Sequence, residues 1–284
     1  MKWFDLAVCP KFSWPNSLIE IPFEGHTLVL QPRRGGVPEE MELAATVSVF
    51  DPNGVSFEVG GTVASRFLSR LAWSNNGGAV ELFSSGSNFP DRPGRLGQGY
   101  FPSSGWAQVR PWDLIYLPAA QGRDADLALG LFREGLSVNS LPFAFLSYFK
   151  VLNIVHGGGK AQTAWINSHL HAIQYPPALE RLRDLQKREP DVGKYLYEAG
   201  RCAVAHAHGT PLVNPDSYVD RRRMEDDLRL VKELAALFIE KELGVLSDSS
   251  YWERLGSDKS LESDLLQKVV QEDGRIVYKP YESR

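Results

Sequence analysis

The 284-residue chain contains only two cysteines and three methionines, which leaves little room for sulfur chemistry. Cys9 and Cys202 are too few for a disulfide framework and lack the paired spacing of a zinc site, so a reducing, cytoplasmic setting is expected. The chain also lacks a long hydrophobic run. Its most apolar stretch, LPFAFLSYFKVLNIV (141–155), is too short to span a bilayer and carries Lys150 and Asn153. The N-terminal MKWFDLAVCPKFSWPNS has no apolar centre of the signal-peptide kind, and no membrane association is expected. An excess of positive charge is missing too. Thirty-one Lys and Arg against 35 Asp and Glu give a net charge of −4, which excludes holding nucleic acid by a global field. DNA is therefore not expected, and any contact with RNA must use a local patch.

Several familiar motifs are absent. HGGGK (156–160) has Ile154 and Ala161 where a Walker A loop needs Gly and Ser or Thr, and it reads as a helix stop. GRLGQG (94–99) does not join a strand to a helix with a later acidic residue, so no dinucleotide is expected. No G-x-S-x-G elbow occurs. The pairs His169/His171 and His206/His208 fall in helical patterns, where i and i+2 lie about 200° apart. They form no natural chelate, and neither a metal nor a cofactor is expected.

What is present divides in two. Residues 1–120 contain short apolar runs punctuated by Gly, Pro and Asn, which predicts a β-rich, sandwich-like domain. DPNG (51–54) between two such runs predicts a hairpin turn. VASRFLSRLAW (63–73) reads as one helix inside this half. The Gly/Ser/Pro-rich 74–105 region reads as a long loop of the sort that often serves function. Residues 121–246 show helical periodicity. Asp124 and Asp126 open a first helix, Ser140-Leu141-Pro142 a second, and Gly157–Gly159 end it. Further helices are predicted over 160–173, 177–189, 192–207 and 215–245. Residues 247–284 are weakly amphipathic and charged, and read as a C-terminal appendage. The fold class is α+β: a β-rich domain followed by a helical bundle.

The chemistry concentrates in YLYEAGRCAVAHAHGTPLVNPDS (195–217). Arg201 and His206 stand near the end of a helix, just before a Gly-Pro-Asn-Pro break. Carbonyls at a helix C-terminus favour a charged imidazole, and a guanidinium one turn back can fork onto a phosphate. In an ideal helix His206 sits about 140° around from Arg201, and His208 about 20°. Cys202 and His208 are secondary candidates; the competing role is structural, with His206 or His208 capping the last carbonyls and Arg201 pairing with an acid such as Asp216 or Glu225. The basic run Arg221-Arg222-Arg223 is a candidate phosphate or RNA contact, partly offset by the MEDD that follows.

RCAVAHA followed by PLVNPDSYVDRRRMEDDLRLVKELAALFIEKELGV, together with LALGLFREGLSVNSLPFAFLSYFKVLNIV, is similar to methylamine utilization protein MauJ. With its R-x4-H segment, the helical half resembles the HEPN superfamily over roughly 124–246. That resemblance implies a HEPN-like bundle that pairs as a homodimer across the R-x4-H segments. It implies metal-independent RNA cleavage in which Arg201 holds the scissile phosphate and His206 serves as general acid and base. Cys202 stands where active members of the superfamily often carry Asn, Asp or His. The alternative is a non-enzymatic accessory or sensor protein, whose β-rich half binds a ligand or partner and whose bundle only dimerises.

Overall fold

The structure, a computed structural model, describes residues 1–35, 42–89, 93–97, 112–206, 212–214 and 217–281. The chain divides into two compact units, Met1–Ala119 with Asp248–Arg284, and Ala120–Ser247. The first carries a sheet and the second is helical, so the fold is α+β.

In the first unit, β1 (Trp3–Pro10), β2 (Ile19–Phe23), β3 (His26–Gln31), β4 (Ala45–Phe50), β5 (Ala79–Ser87), β6 (Leu266–Val270) and β7 (Ile276–Pro280) form one sheet. The strand order is β5-β1-β4-β3-β2-β7-β6. The pairing is antiparallel except for β2 with β7. The tail expected to be an appendage thus returns to the first unit and extends its sheet by two strands. It does so after α9 (Asp248–Leu255), where Tyr251 is fully buried and stacks on Tyr116 at 3.8 Å.

Among the described residues there is one sheet rather than the two of the expected sandwich. The helix α1 (Phe57–Asn75) takes the place of the second layer. Strand alternation puts Phe4, Leu6, Val8, Leu28, Leu30, Val47 and Val49 in one core with Phe67, Leu68 and Leu71 of α1. Full burial of each such large side chain stabilises the unit by about 1.5–3 kcal/mol. A side chain at Gly60 would come within 2.5 Å of Phe4, so glycine permits the helix to lie close on β1.

The DPNG turn is a correction. It ends β4 and delivers the chain into α1: Asp51 Oδ1 accepts the Asn53 N–H, and Gly54 takes φ +102°. Ser56 then caps α1 by accepting the Val59 N–H at 3.2 Å. The tight hairpin lies at Glu24-Gly25 between β2 and β3, where φ is +48° and +79°. Two adjacent positive φ values give the turn whose twist matches the strands.

The other sheet face is polar yet buried. Asp5 and Ser48 are fully buried, and Thr46 is nearly so. Ser48 donates to Asp5 Oδ1 at 2.6 Å, and Gly94 N–H donates to Asp5 Oδ2 at 3.2 Å. Gln31 Nε2 donates to Ser48 and to the Gly94 carbonyl. A Cβ on Gly94 would lie 2.5 Å from Asp5 Oδ2, so only glycine lets the backbone come this close. Gly94 of GRLGQG therefore seals a sheet face.

The second unit is a bundle. The helices are α2 (Arg123–Ser137), α3 (Leu141–Asn153), α4 (Gly159–His169), α5 (Pro176–Arg188), α6 (Val192–Tyr195) and α7 (Ala203–Ala205), with a π-helical segment Leu196–Cys202 between the last two. The long α8 (Tyr218–Glu242) packs against α3 and α5. Its stripe Met224, Leu230, Val231, Leu234, Ala235, Phe238 and Ile239 is wholly buried at helical spacing. Ser217 caps it by accepting the Asp220 N–H. Among the described residues, no helix is long and apolar enough to cross a membrane.

Burial pushes the Asp5 carboxyl above the ordinary carboxylate range, against the opposing hydrogen bonds from Ser48 and Gly94. A carboxyl raised in this way adds stability that is complete below its unfolded value, about 3.9, and is lost as pH rises through the folded value. The stability of the chain relative to Asp5→Asn, from urea unfolding, is therefore expected to fall as pH rises from about 4 and then level off. A flat difference would mean that the hydrogen bonds cancel the burial.

Candidate functional site

The site lies on the helix that runs through α6, the π-helical segment and α7. Asp191 starts it by accepting the Lys194 N–H at 2.8 Å. Within the segment the ladder widens, and the Ala203 N–H reaches the Glu198 carbonyl five residues back. Such single π turns recur at functional sites because they shift which side chains a helix presents. Gly200 makes the packing possible, since a Cβ there would meet the Phe145 ring of α3 at 2.4 Å. Gly159 plays the same part for Tyr197, whose ring would lie 2.3 Å from a Cβ.

Arg201 lies in the last turn of the π-helical segment and is half-buried. Its guanidinium carbon lies 5.8 Å from the Tyr197 ring centroid, and Nη1 lies 3.8 Å from Cys202 Sγ. Among the described residues no carboxylate forms an ion pair with it. A guanidinium held over an aromatic face, with no carboxylate on its fork among the described residues, is arranged to accept an anion. His206 follows the last helical turn in extended backbone, φ −125° and ψ 125°. Its N–H still bonds the Cys202 carbonyl at 3.0 Å, and its side chain is exposed. His208 lies outside the described residues.

The three-arginine run splits. Arg221 is exposed and lines a hollow of about 430 Å³ beside Asn139, Ser140 and Leu228. Arg222 is exposed and lies 4.0 Å from Glu225. Arg223 turns inward, donating to the Ala199 carbonyl of the π-helical segment at 2.7 Å and approaching Asp227 to 3.8 Å. Its Nη2 is buried without a hydrogen-bond partner. The expected patch thus offers two outward cations, and the third braces the segment that carries Arg201.

The group that organises this corner was not anticipated. Asp227 is fully buried in α8. Its Oδ1 accepts from Arg181 Nε at 2.9 Å and Nη2 at 2.7 Å, and its Oδ2 accepts from Tyr195 Oη at 2.9 Å. Burial pushes its carboxyl up, and the Arg181 guanidinium opposes that push. Burial likewise pushes the Tyr195 hydroxyl up, reinforced by the neighbouring carboxylate. A signal existed in the sequence: Asp227 falls in the apolar stripe between Met224 and Leu230, where an acid requires a partner.

Of the paired histidines, His169 serves packing. His169 stacks on Trp165 at 4.1 Å, and its Nδ1 lies 2.9 Å from the Trp165 carbonyl. Among the described residues no group of three or more His, Cys, Asp or Glu is arranged to hold a metal ion.

Asp227→Asn removes the charge that balances Arg181 while keeping the shape. Breaking one partner of such a buried pair costs about 3–5 kcal/mol. The expected outcome is a loss of that order in urea unfolding. A loss below about 1 kcal/mol would show that the pair does not hold the helices together.

No curated protein and no solved structure matches this chain. The helical unit does match a known family: residues 128–240, from α2 to near the end of α8, fit the model described as methylamine utilization protein MauJ.

Proposed function

We propose that the helical unit binds RNA by gripping a backbone phosphate with Arg201 and cleaves the strand there without a metal. The observation that carries this reading is the unpaired state of Arg201 among the described residues. Arg181 and Arg223 are tied to Asp227, so of these three arginines Arg201 is the one without a carboxylate partner among the described residues. Two further features support it. The exposed Arg221 and Arg222 add positive charge on α8, and the exposed His206 stands five residues from Arg201.

The chemistry needs only these groups. His206 removes the proton from a ribose 2′-hydroxyl as its oxygen attacks the adjacent phosphorus. The P–O5′ bond breaks, and the imidazolium returns a proton to the leaving 5′-oxygen. The products are a 2′,3′-cyclic phosphate and a 5′-hydroxyl, with no water consumed. Arg201 stabilises the charge that builds on the non-bridging oxygens. A HEPN-like homodimer would pair two such segments and double the positive field on one strand, which sedimentation would reveal as a species of twice the chain mass.

Cys202 favours a second reading, a MauJ-like accessory protein that binds and does not cut. A thiol is a weak donor and acceptor, and it gives the phosphate no firm second contact.

Incubation of a labelled single-stranded RNA with the full chain in EDTA separates the two. Wild type is expected to bind and to yield 2′,3′-cyclic ends. Arg201→Ala is expected to weaken binding about tenfold or more, the value of a lost charge-assisted contact. His206→Ala is expected to keep binding and lose at least a hundredfold in cleavage, the usual scale of general acid–base catalysis. Arg201-dependent binding without cyclic ends would favour the accessory reading, and binding indifferent to Arg201→Ala would discard the site.

A further inference from the structure

The first unit carries two further arginines without an ion pair among the described residues, Arg34 and Arg95. Arg34 and Leu43 exchange both backbone hydrogen bonds, at 3.1 and 3.0 Å. On its other side Leu43 pairs with Gly97, and the Ala44 N–H donates to the Leu96 carbonyl at 3.0 Å. Leu43 is therefore the middle rung of a small antiparallel ladder. Residues directly opposed in such a ladder project to one face, and residues two apart along an extended segment share it. Arg34, opposite Leu43, and Arg95, two before Gly97, consequently rise on the same side.

Both line one pocket of about 110 Å³. Its floor includes Gln31 and Thr46, polar side chains that are themselves buried. Gln31 is locked by its bonds to Ser48 and the Gly94 carbonyl, so the floor is rigid. Both arginines are exposed. Neither forms an ion pair among the described residues, although the neighbouring Arg33 is paired with Glu42. Two guanidiniums brought to one concave site repel each other unless an anion lies between them. Their planar forks match the paired oxygens of a carboxylate or phosphate.

We propose that this pocket binds a compact oxyanion, a carboxylate or phosphate head group, clamped between Arg34 and Arg95 above Gln31 and Thr46. The site is independent of the RNA reading, because it lies in the other unit and uses none of its residues.

Isothermal titration of the full chain in a chloride buffer tests it, once with inorganic phosphate and once with acetate. The arm that gives saturable binding identifies the head group. Arg34→Gln and Arg95→Gln are each expected to weaken that binding about tenfold, and the double variant to abolish it. Arg33→Gln, which removes an equal charge from the same surface, is expected to leave it unchanged. Neither anion binding, binding that survives the double variant, or an equal loss in Arg33→Gln would overturn the proposal.

Discussion

A single carboxylate, Asp227, ties together the corner of the helical unit that matters most. It sits on the buried stripe of α8, receives two hydrogen bonds from Arg181 of α5 and one from Tyr195 of α6, and lies beside Arg223 one turn earlier on its own helix. An acid in that stripe cannot be left unpaired, because the interior would charge several kcal/mol for it. Three elements must therefore converge on one point. Their convergence fixes the end of α6 at Tyr195, and Arg223 passes the constraint on by holding the Ala199 carbonyl inside the π turn.

The π turn converts that anchoring into a presented side chain. Widening the ladder over Leu196–Cys202 rotates Arg201 away from the register an unbroken α-helix would give it. Gly200 against Phe145 keeps the segment close to α3. Arg201 then stands over Tyr197 with its hydrogen-bonding fork unclaimed by any carboxylate among the described residues. The same helix thus holds two kinds of polar group. Tyr195 is spent on the scaffold, and Arg201 is kept back from it.

The sheet unit follows a related logic. Its buried acid, Asp5, is satisfied by a hydroxyl and a backbone amide rather than by a cation. The Gly94 segment that supplies the amide also carries Arg95 to the pocket shared with Arg34. In each unit a buried carboxylate positions a segment, and an arginine on or near that segment remains without an acidic partner among the described residues.

Much of this was legible beforehand and some was not, for identifiable reasons. The helices over 121–246 announced themselves because each buries one face, and 3.6-residue periodicity survives in the order of residues. The Arg201–His206 stretch stood out by its chemistry at a helix end. The sandwich did not materialise because β1 and β4 are covered on both faces, by α1 and by the Gly94 segment, and alternation alone cannot say what covers a face. DPNG was misplaced because an Asx turn with a following glycine ends a strand equally well before a hairpin or a helix. The tail joined the sheet through β2–β7 pairing across some 255 residues, a contact that no local pattern encodes. Element type and candidate chemistry were thus determined by short-range pattern. Strand order, the inward turn of Arg223, the π register of Arg201 and the placing of Arg34 and Arg95 on one pocket were decided by tertiary structure, because each depends on which distant segments pack and hydrogen-bond together.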